Sequence, residues 1–315
     1  MKTKEYIGVD IGGTKCAVVR ADEGGKILEK VRFDTTNLNE TQKKIISGIN
    51  KFKSEATVSV GVSCGGPLDS VRGVIVCPPN LPGWIDIPIT EIIKKETGLC
   101  ASLCNDANAC ALAEWMYGAG RGTKNMVFLT FGTGMGAGLI LDGRLYDGTC
   151  GLAGEVGHLR LSQSGPVGFG KAGSFEGFCS GGGIARFARA EALKAIKKGA
   201  PPLYCKSESD IDKVTAKSVA EAAFAGDETA KKVYRKSGEM LGRGLALIID
   251  MTNPEVVVIG SVFERAEALL RPSMERTLRR EAIGASLDVC RVVPAELKDN
   301  IGDIAAVSVA RYMQK

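Results

Sequence analysis

Four glycine-containing segments of the 315-residue sequence carry residue types that could do chemistry. They span residues 10–15, 61–65, 132–137 and 165–172. The last three resemble motifs with a defined mechanism, namely a serine nucleophile elbow, a dinucleotide fingerprint and a phosphate-binding loop. Each of those motifs requires particular neighbouring residues, so the flanking sequence decides which segment could perform the chemistry of its motif.

Residues 61–65 read Gly-Val-Ser-Cys-Gly, which fits the G-x-S-x-G pattern of a serine hydrolase. In such enzymes a helix directly follows the serine and helps to form the oxyanion hole. Here Gly66 and Pro67 follow, and this pair breaks the start of a helix. His158 is the single histidine of the chain and therefore the only candidate base. We interpret Ser63 as a turn residue.

Residues 165–172 nearly match the phosphate-binding loop G-x-x-x-x-G-K-[S/T]. The last position of that motif must carry a hydroxyl group for Mg²⁺, and Ala172 has none. No buried apolar strand leads directly into the segment. We therefore predict a flexible loop over these residues.

Residues 132–137 loosely match the dinucleotide fingerprint, behind the apolar segment 127–131. That fingerprint must open a helix, and an acidic residue must follow about 20 positions later. Residues 138–143 instead read as a second strand and a turn. This pattern argues against a nicotinamide-dependent dehydrogenase.

Residues 10–15, Asp-Ile-Gly-Gly-Thr-Lys, meet the requirements of an anion site best. Glycines let the backbone approach a phosphate and present N–H groups to it. Thr14 and Lys15 add a hydroxyl donor and a cation. Asp10 can hold Mg²⁺ through water. This segment therefore indicates phosphate binding.

The anion segment recurs later in the chain. Residues 9–19 resemble residues 129–139 at an offset of 120, so that Gly12 aligns with Gly132. Each copy reads as a strand, a glycine–threonine turn, a second strand and an acidic turn. The repeat predicts a duplicated α/β unit whose two phosphate hairpins face each other across a cleft.

The elements that must position these segments alternate between apolar strands and amphipathic helices, which indicates an α/β layer fold. Strands are predicted at residues 6–9, 16–21, 58–63, 101–104, 126–131, 139–141, 255–259 and 287–293. Helices are predicted at residues 41–52, 89–97, 107–117, 184–197, 216–225 and 228–249, between the last two strands, and from about 303.

The length of the chain indicates about two domains. The glycine-rich linker 118–123 is the best boundary, which gives an N-terminal lobe over residues 1–118 and a larger C-terminal lobe over 119–302. We expect the C-terminal helix, residues 303–315, to pack back on the first lobe.

Composition excludes several classes of protein. The 41 basic and 36 acidic residues give a net charge of +5, too small to indicate a nucleic-acid or membrane partner. No apolar stretch is long enough to cross a membrane, and no signal peptide is visible. The ten cysteines lie mostly in apolar runs without a C-x-x-C pair. We therefore expect buried thiols in a cytoplasmic protein.

Taken together, the motifs resemble those of the sugar kinases of the ROK family (repressor, open reading frame, kinase), over nearly the whole chain. Residues 10–15 and 130–134 look like the two phosphate motifs of that family. Residues 105–109 are similar to the segment with the catalytic aspartate. The sugar-side loops and the adenosine-side strand are matched by residues 61–69, 79–84, 155–158 and 253–260.

The resemblance implies a two-lobed actin-like ATPase (ribonuclease H-like) fold, in which duplicated βββαβα units enclose a central cleft. It implies phosphorylation of a hexose by ATP with Mg²⁺, at the 6-hydroxyl of glucose, inside lobes that close to exclude water. N-acetylmannosamine or N-acetylglucosamine is the alternative substrate. The resemblance also implies a homodimer. The rival from another class is a sugar-responsive repressor or a non-catalytic sugar sensor, and we see no N-terminal helix-turn-helix.

The resemblance also assigns roles to residues. Asp106 is implied as the general base, whereas spacing alone would also permit an N-cap of helix 107–117. The sugar-side residues implied besides Asp106 are Gly66, Asn80, Asn105, Glu155, His158 and Glu176. The nucleotide-side residues implied are Asp10, Gly12, Gly13, Thr14, Lys15, Gly132, Thr133, Gly134 and Gly260.

The chain departs from the family pattern after the E-x-G-H segment. Many members place three cysteines there, which bind a structural zinc ion together with the histidine. This chain has Val167, Phe169 and Ser174 at those positions. Zinc needs about four nitrogen or sulfur ligands, so we predict no zinc here. We expect packing of Phe169 and Phe175 to order the loop 161–178, with the histidine free for substrate.

Overall fold

Two five-stranded sheets organise the chain in a computed structural model that describes residues 3–314. Met1, Lys2 and Lys315 lie outside the described residues. The strands are β1 (Glu5–Ile11), β2 (Lys15–Asp22), β3 (Ile27–Asp34), β4 (Thr57–Cys64), β5 (Leu68–Asp69), β6 (Val74–Ile75), β7 (Ala101–Asn105), β8 (Met126–Phe131), β9 (Met135–Leu141), β10 (Arg144–Tyr146), β11 (Val167–Gly168), β12 (Lys171–Ala172), β13 (Val256–Ile259) and β14 (Arg291–Pro294).

Ten α-helices are present in the described part of the chain, with short 3₁₀ turns at Val156–His158, Glu208–Lys213 and Lys298–Asn300. They are α1 (Leu38–Phe52), α2 (Ile89–Thr97), α3 (Asp106–Tyr117), α4 (Phe175–Phe178), α5 (Gly181–Lys197), α6 (Ala216–Phe224), α7 (Glu228–Thr252), α8 (Val262–Glu281), α9 (Gly284–Asp288) and α10 (Ile301–Tyr312).

The two sheets have the same layout. The first has the order β3-β2-β1-β4-β7, with β1 antiparallel to β2 and parallel to β4. The second has the order β10-β9-β8-β13-β14, with β9 antiparallel to β10 and β8 parallel to β13. In both, three successive strands come first and helices connect the parallel strands that follow. The duplicated α/β unit predicted from the sequence is confirmed.

The chain divides into two compact units. The first comprises the residues up to Lys124, Gly138–Ala153 and the residues from Glu296 onward. The second comprises Asn125–Ala137 and Gly154–Ala295. The predicted division into lobes 1–118 and 119–302 stays a prediction.

Close packing of α10 on the first sheet fixes the core of the first unit. A Cβ atom at Gly61 on β4 would lie 2.2 Å from the carbonyl oxygen of Ala306, and one at Gly8 on β1 would lie 2.7 Å from Val307 N. Only glycine allows the helix backbone to come this near. Ser59 reinforces the contact by donating a hydrogen bond to the carbonyl of Ala310 at 2.9 Å.

Three local predictions were wrong. Residues 165–172 form the ordered hairpin β11–β12 rather than a flexible loop, because Phe169 and Gly170 both adopt the left-handed conformation that a tight turn needs. Helix α5 begins at Gly181 rather than at 184, because Ser180 accepts a hydrogen bond from Gly183 N and caps it. Residues 284–288 form α9, and the strand expected there is confined to β14.

Two further observations concern cysteines and membranes. All ten cysteines are free thiols. Within residues 3–314, no helix combines the length and the apolar character that crossing a membrane requires.

Two segments of the first unit, one shortly before Lys124 and one beginning at Glu296, are held at the end of α3 by one buried side chain. Glu114 is fully buried. Its Oε2 accepts hydrogen bonds from Ala119 N at 2.8 Å and Glu296 N at 3.2 Å, and its Oε1 accepts one from Leu297 N at 2.9 Å. The first stretch of the first unit ends at Lys124, and its last stretch begins at Glu296. Glu114 therefore satisfies backbone groups on both segments.

Replacing Glu114 by Ala should lower the free energy of unfolding by about 2–4 kcal/mol, because three backbone N–H groups lose their acceptor in a buried place. Urea denaturation of the ligand-free protein measures the loss. Glu96→Ala, on the exposed end of α2, is the matched control and should change stability by less than about 0.5 kcal/mol. Equal effects of the two substitutions would contradict the assignment.

Candidate active site

The β1–β2 turn presents a short stretch of exposed backbone in the first unit. Gly13, Thr14 and Lys15 are exposed, and Gly12 is half-buried. Gly12 N donates to the carbonyl of Lys15 at 3.1 Å and closes the turn. Thr35 holds it from behind, since its Oγ1 donates to the carbonyl of Gly12 at 2.7 Å. The turn is thus rigid while its outer face stays open to an anion.

The loop that contains Asn80 lies directly against this turn. A Cβ atom at Gly13 would lie 2.6 Å from the carbonyl oxygen of Asn80 and 2.8 Å from its Cβ. Asn80 is exposed, so its side-chain amide is available to a ligand. The structure therefore brings together a predicted phosphate residue and a predicted sugar residue.

The ends of the neighbouring parallel strands β4 and β7 position Asn105 and Asp106, the remaining polar residues predicted for the first unit. Cys64 at the end of β4 pairs with Asn105 at the end of β7, so Gly65 and Asp106 leave the same edge of the sheet. A Cβ atom at Gly65 would lie 3.8 Å from both Asp106 Oδ2 and Asn80 Nδ2. Ligands of open α/β sheets gather at this carboxyl edge. A Cβ atom at Gly66 would lie 3.6 Å from Asn105 Nδ2, so Asn105 belongs to the same group of side chains.

Asn105, rather than Asp106, is the N-cap of α3. Its side-chain oxygen accepts a hydrogen bond from Ala107 N at 2.9 Å. Asp106 is the first residue of the helix, and its Oδ1 accepts from the same N–H at 2.8 Å. The side chain is exposed, which leaves Oδ2 open to a substrate hydroxyl. Surrounding protein atoms partly desolvate the carboxyl and raise the pKa of Asp106, although the residue stays accessible to solvent, whereas the hydrogen bond from Ala107 N lowers it.

Asp10 lies on β1 just before the turn. Burial, then the charges of Asp303 and Asp106, raise the pKa of its carboxyl from 3.8 to about 7, against a smaller lowering by Arg32 and Lys30. Asp303 itself forms an ion pair with Lys30. A divalent cation would relieve the repulsion between the carboxylates, so the residues present fit the water-mediated Mg²⁺ ligand that the sequence predicts.

The β8–β9 turn of the second unit is joined to a predicted sugar residue. Glu176 on α4 accepts a hydrogen bond from Met135 N at 3.1 Å through Oε2. A Cβ atom at Gly134 would lie 2.8 Å from the same oxygen. Thr130 spans the hairpin, because its Oγ1 accepts from Gly136 N at 2.9 Å. Thr133 at the tip is exposed.

The E-x-G-H segment packs against the same hairpin. Gly157 is buried, and a Cβ atom there would lie 2.3 Å from the carbonyl of Met135 and 3.4 Å from Glu176 Cβ. Glu155 is exposed and His158 is half-buried on the 3₁₀ turn. Glu155, His158 and Glu176, which the sequence predicts for the sugar side, thus lie on two segments that contact the β8–β9 hairpin.

The N-terminus of α5 was missed by sequence reasoning as part of this site. Gly181 N donates to the carbonyl of Gly132 at 2.7 Å, and a Cβ at Gly182 would lie 3.3 Å from the carbonyl of Thr133. A helix N-terminus favours negative charge. The signal was present in the run Ser180-Gly-Gly-Gly183, a cap residue followed by residues without side chains.

A separate cavity of about 390 Å³ lies beyond β13. Gly260 directly follows this strand, is buried, and donates from its N–H to the carbonyl of Leu129 at 3.0 Å. The first turns of α8 and one face of α6 form much of the wall. The lining residues are Ala216, Lys217, Ala220, Glu221, Phe224, Tyr234, Val262, Arg265 and Ala266. The cavity is mostly apolar with a charged rim, which suits a planar base.

Two alternative sites from the sequence are not supported. Ser63 is 2% exposed inside β4 and cannot serve as an accessible nucleophile. Residues 165–172 form a β-hairpin, and the helix that follows is a single turn that begins only at Phe175, so the segment lacks the strand–loop–helix geometry of a phosphate-binding loop.

Two α/β units, each with a glycine–threonine turn between the first strands of its sheet, define the two-lobed actin-like ATPase fold. The chain belongs to the ROK family, whose family model matches residues 6–312. A glucokinase of Thermotoga maritima is 33% identical over 316 residues, which cover 99% of this chain and 98% of the relative.

Solved structures agree with this assignment. A ROK hexokinase from Thermus thermophilus has a TM-score of 0.81 at 30% identity. The match covers 98% of this chain and 98% of the Thermus protein. A ROK family glucokinase from Streptomyces griseus, solved with glucose and AMPPNP, has a TM-score of 0.78 at 29% identity. The match covers 98% of this chain and 99% of the Streptomyces protein.

The raised pKa of Asp10 gives a testable pH dependence in the ligand-free protein. Between pH 3.8 and about 7 the unfolded chain has lost this proton while the folded protein retains it. The native state therefore binds more protons, and the stability contributed by this group, present below pH 3.8, is lost as the pH rises through 7. Asp10→Asn should flatten that loss, whereas Asp212→Asn on the surface should not. Urea denaturation from pH 5 to 8 measures the free energy of unfolding of each variant. Parallel pH profiles for wild type and Asp10→Asn would rule out the raised pKa of Asp10 as the cause.

Proposed function

We propose that this protein transfers the γ-phosphoryl group of ATP to the 6-hydroxyl group of glucose, with Asp106 as the general base. The observation that carries the proposal is the exposed Asp106 carboxylate at the carboxyl edge of the first sheet, beside Asn80 and Gly65. Glucokinases are 31–34% identical over 92–99% of this chain, whereas an N-acetylmannosamine kinase of Citrobacter koseri is 31% identical over only 84% of it. The solved structures at 29–30% identity are a glucokinase and a hexokinase. The N-acetylhexosamine, repressor and sensor alternatives are not favoured.

The chemical step needs positioning and one proton acceptor. Asp106 takes the proton of the sugar hydroxyl while the hydroxyl oxygen attacks the γ-phosphorus. The new O–P bond forms as the bond from the γ-phosphorus to the bridging oxygen breaks, and ADP leaves with that electron pair. Asp106 is suited to this role because its Oδ1 is fixed by Ala107 N and its Oδ2 remains open.

Hydroxyl groups of the sugar need partners that both donate and accept hydrogen bonds. Asn80 and Asn105 supply such amides in the first unit, near Gly66. Glu155, His158 and Glu176 supply carboxylate and imidazole groups in the second. A sugar hydroxyl bound between a carboxylate and an imidazole donates to one and can accept from the other.

The nucleotide would be held by main-chain groups. Residues 12–15 and 132–134 present backbone N–H groups and threonine hydroxyls to the phosphates, and Lys15 adds positive charge. The cavity beyond Gly260 would take the adenine base. Mg²⁺, held through water by Asp10, would neutralise phosphate charge when bound.

Asp106→Asn should reduce kcat by about 10²–10⁴-fold, because the amide cannot accept the hydroxyl proton. The KM for glucose should change by only a few fold, since the amide retains hydrogen-bonding capacity. A coupled ADP-release assay with glucose and a panel of hexoses and N-acetylhexosamines measures both constants. Asp212→Asn, exposed and remote from these residues, is the matched control. Full activity of Asp106→Asn, or no turnover with any sugar, would refute the proposal.

Ala220→Trp should raise the KM for ATP by about tenfold or more, because the indole would fill the cavity proposed for adenine. The KM for glucose should not change. Ala285→Trp on the exposed face of α9 is the control and should leave both constants as in wild type. The adenine assignment fails if Ala220→Trp binds ATP normally.

Two properties remain expectations from the family resemblance. We propose a homodimer, which light scattering during size-exclusion chromatography would test. We also propose a cytoplasmic location, consistent with ten free thiols.

A further inference from the structure

The loop that follows the E-x-G-H segment has no ligand set for zinc. Across residues 3–314 there is no group of three or more histidine, cysteine, aspartate or glutamate side chains suited to a metal. Val167, Phe169 and Ser174 occupy the positions at which the resemblance would place cysteines. These side chains offer no thiolate, so the residues around His158 do not fit a structural zinc ion.

Hydrogen bonds order the loop instead. Strands β11 and β12 pair antiparallel, with Val167 opposite Ala172. Ser174 is fully buried, donates to the carbonyl of Gly168 at 3.2 Å and accepts from Gly177 N at 3.1 Å. The carbonyl of Gly173 accepts from two backbone N–H groups of residues 161 and 162, at 2.9 and 3.1 Å. The hydroxyl of Ser174 thus ties the hairpin to the start of α4.

The tip of this hairpin lies on the histidine ring. The ring centroids of Phe169 and His158 are 4.6 Å apart, with the planes inclined at 58°. Phe169 is 75% exposed and has φ of +51°, so neither core packing nor backbone preference favours a phenylalanine there. Next to it, Lys171 Nζ donates to the backbone carbonyl of His158 at 2.8 Å. The hairpin therefore holds both the ring and the main chain of His158.

We propose that Phe169 is a positioning residue that orients the His158 imidazole toward the sugar, in the role that zinc ligation would otherwise serve. A tilted aromatic contact restricts rotation of the imidazole without using either ring nitrogen. Both nitrogens of His158 then remain free for hydroxyl groups, one as a donor and one as an acceptor. The catalytic consequence rests on the proposed function, whereas the ring contact and the lack of metal do not.

Phe169→Ala should raise the KM for glucose about 3- to 10-fold, with kcat and the KM for ATP within twofold of wild type. Phe169→Tyr should restore the wild-type KM, because the tyrosine ring preserves the contact. Met251→Ala, which truncates an 81% exposed apolar side chain on α7, is the control and should have no effect. An unchanged KM in Phe169→Ala would overturn the positioning role.

The single histidine of the chain provides a readout that is independent of activity. In tag-free protein, the carbon-bound protons of His158 give the only histidine signals in a ¹H–¹³C NMR spectrum. Loss of the Phe169 ring current should shift them in Phe169→Ala, and Phe169→Tyr should return them near their original positions. Signals that do not move would refute the contact even if no sugar were a substrate.

Metal analysis completes the test. The purified protein should contain less than about 0.1 equivalent of zinc, and a chelator should leave its melting temperature unchanged. One equivalent of zinc, or a fall in melting temperature on chelation, would overturn the inference. A failure of glucose phosphorylation with the NMR and metal results as expected would instead count against the proposed function alone.

Discussion

Close approach of main chains, possible only where a side chain is missing, governs the first unit. Helix α10 rests on the sheet at Gly8 and Gly61, and its first turn therefore stands near Asp10. A Cβ atom at Gly302 would lie 3.1 Å from Asp10 Oδ2. The same requirement recurs at Gly13, where any side chain would collide with Asn80. These contacts determine how closely the β1–β2 turn approaches Asn80.

The packing has an electrostatic consequence. It brings Asp303 on α10 and Asp106 on α3 near enough to Asp10 on β1 to disfavour ionisation of the Asp10 carboxyl. A structure selected for stability alone would separate these charges or pair all of them. Lys30 pairs with Asp303, and the remaining repulsion falls on Asp10. The first unit thus retains an unfavourable interaction that a bound cation would relieve.

The second unit joins its ligand groups through the backbone. Glu176 receives a hydrogen bond from Met135, one residue beyond the phosphate turn, and Gly157 packs on the same main chain. A displacement of Gly157 or Glu176 would therefore also displace the main chain of the β8–β9 turn. The hairpin β11–β12 and the buried Ser174 hold the segment that contains His158 and Glu176 with ordinary hydrogen bonds and one aromatic contact, which act in place of metal coordination.

The sequence by itself determined the class of fold, the two glycine–threonine turns and the types of the polar residues. These follow from local rules: alternation of apolar residues specifies strands, glycine and threonine specify turns, and a repeat specifies a second unit. It also predicted that Asn105 and Asp106 would start a helix at a strand end. It left open which of the two caps that helix.

Only the tertiary structure decided the remaining features. Hydrogen bonding assigned the cap to Asn105, because the extended backbone there directs its side chain to Ala107 N. The contact of Asn80 with Gly13, the place of α5 beside Gly132 and the stacking of Phe169 on His158 each join residues distant in sequence. No local pattern encodes such pairs, since they depend on strand register and on how closely two backbones approach. The raised pKa of Asp10 could not be foreseen for the same reason, because it comes first from burial and then from carboxylates that only the packing of α10 and α3 brings near.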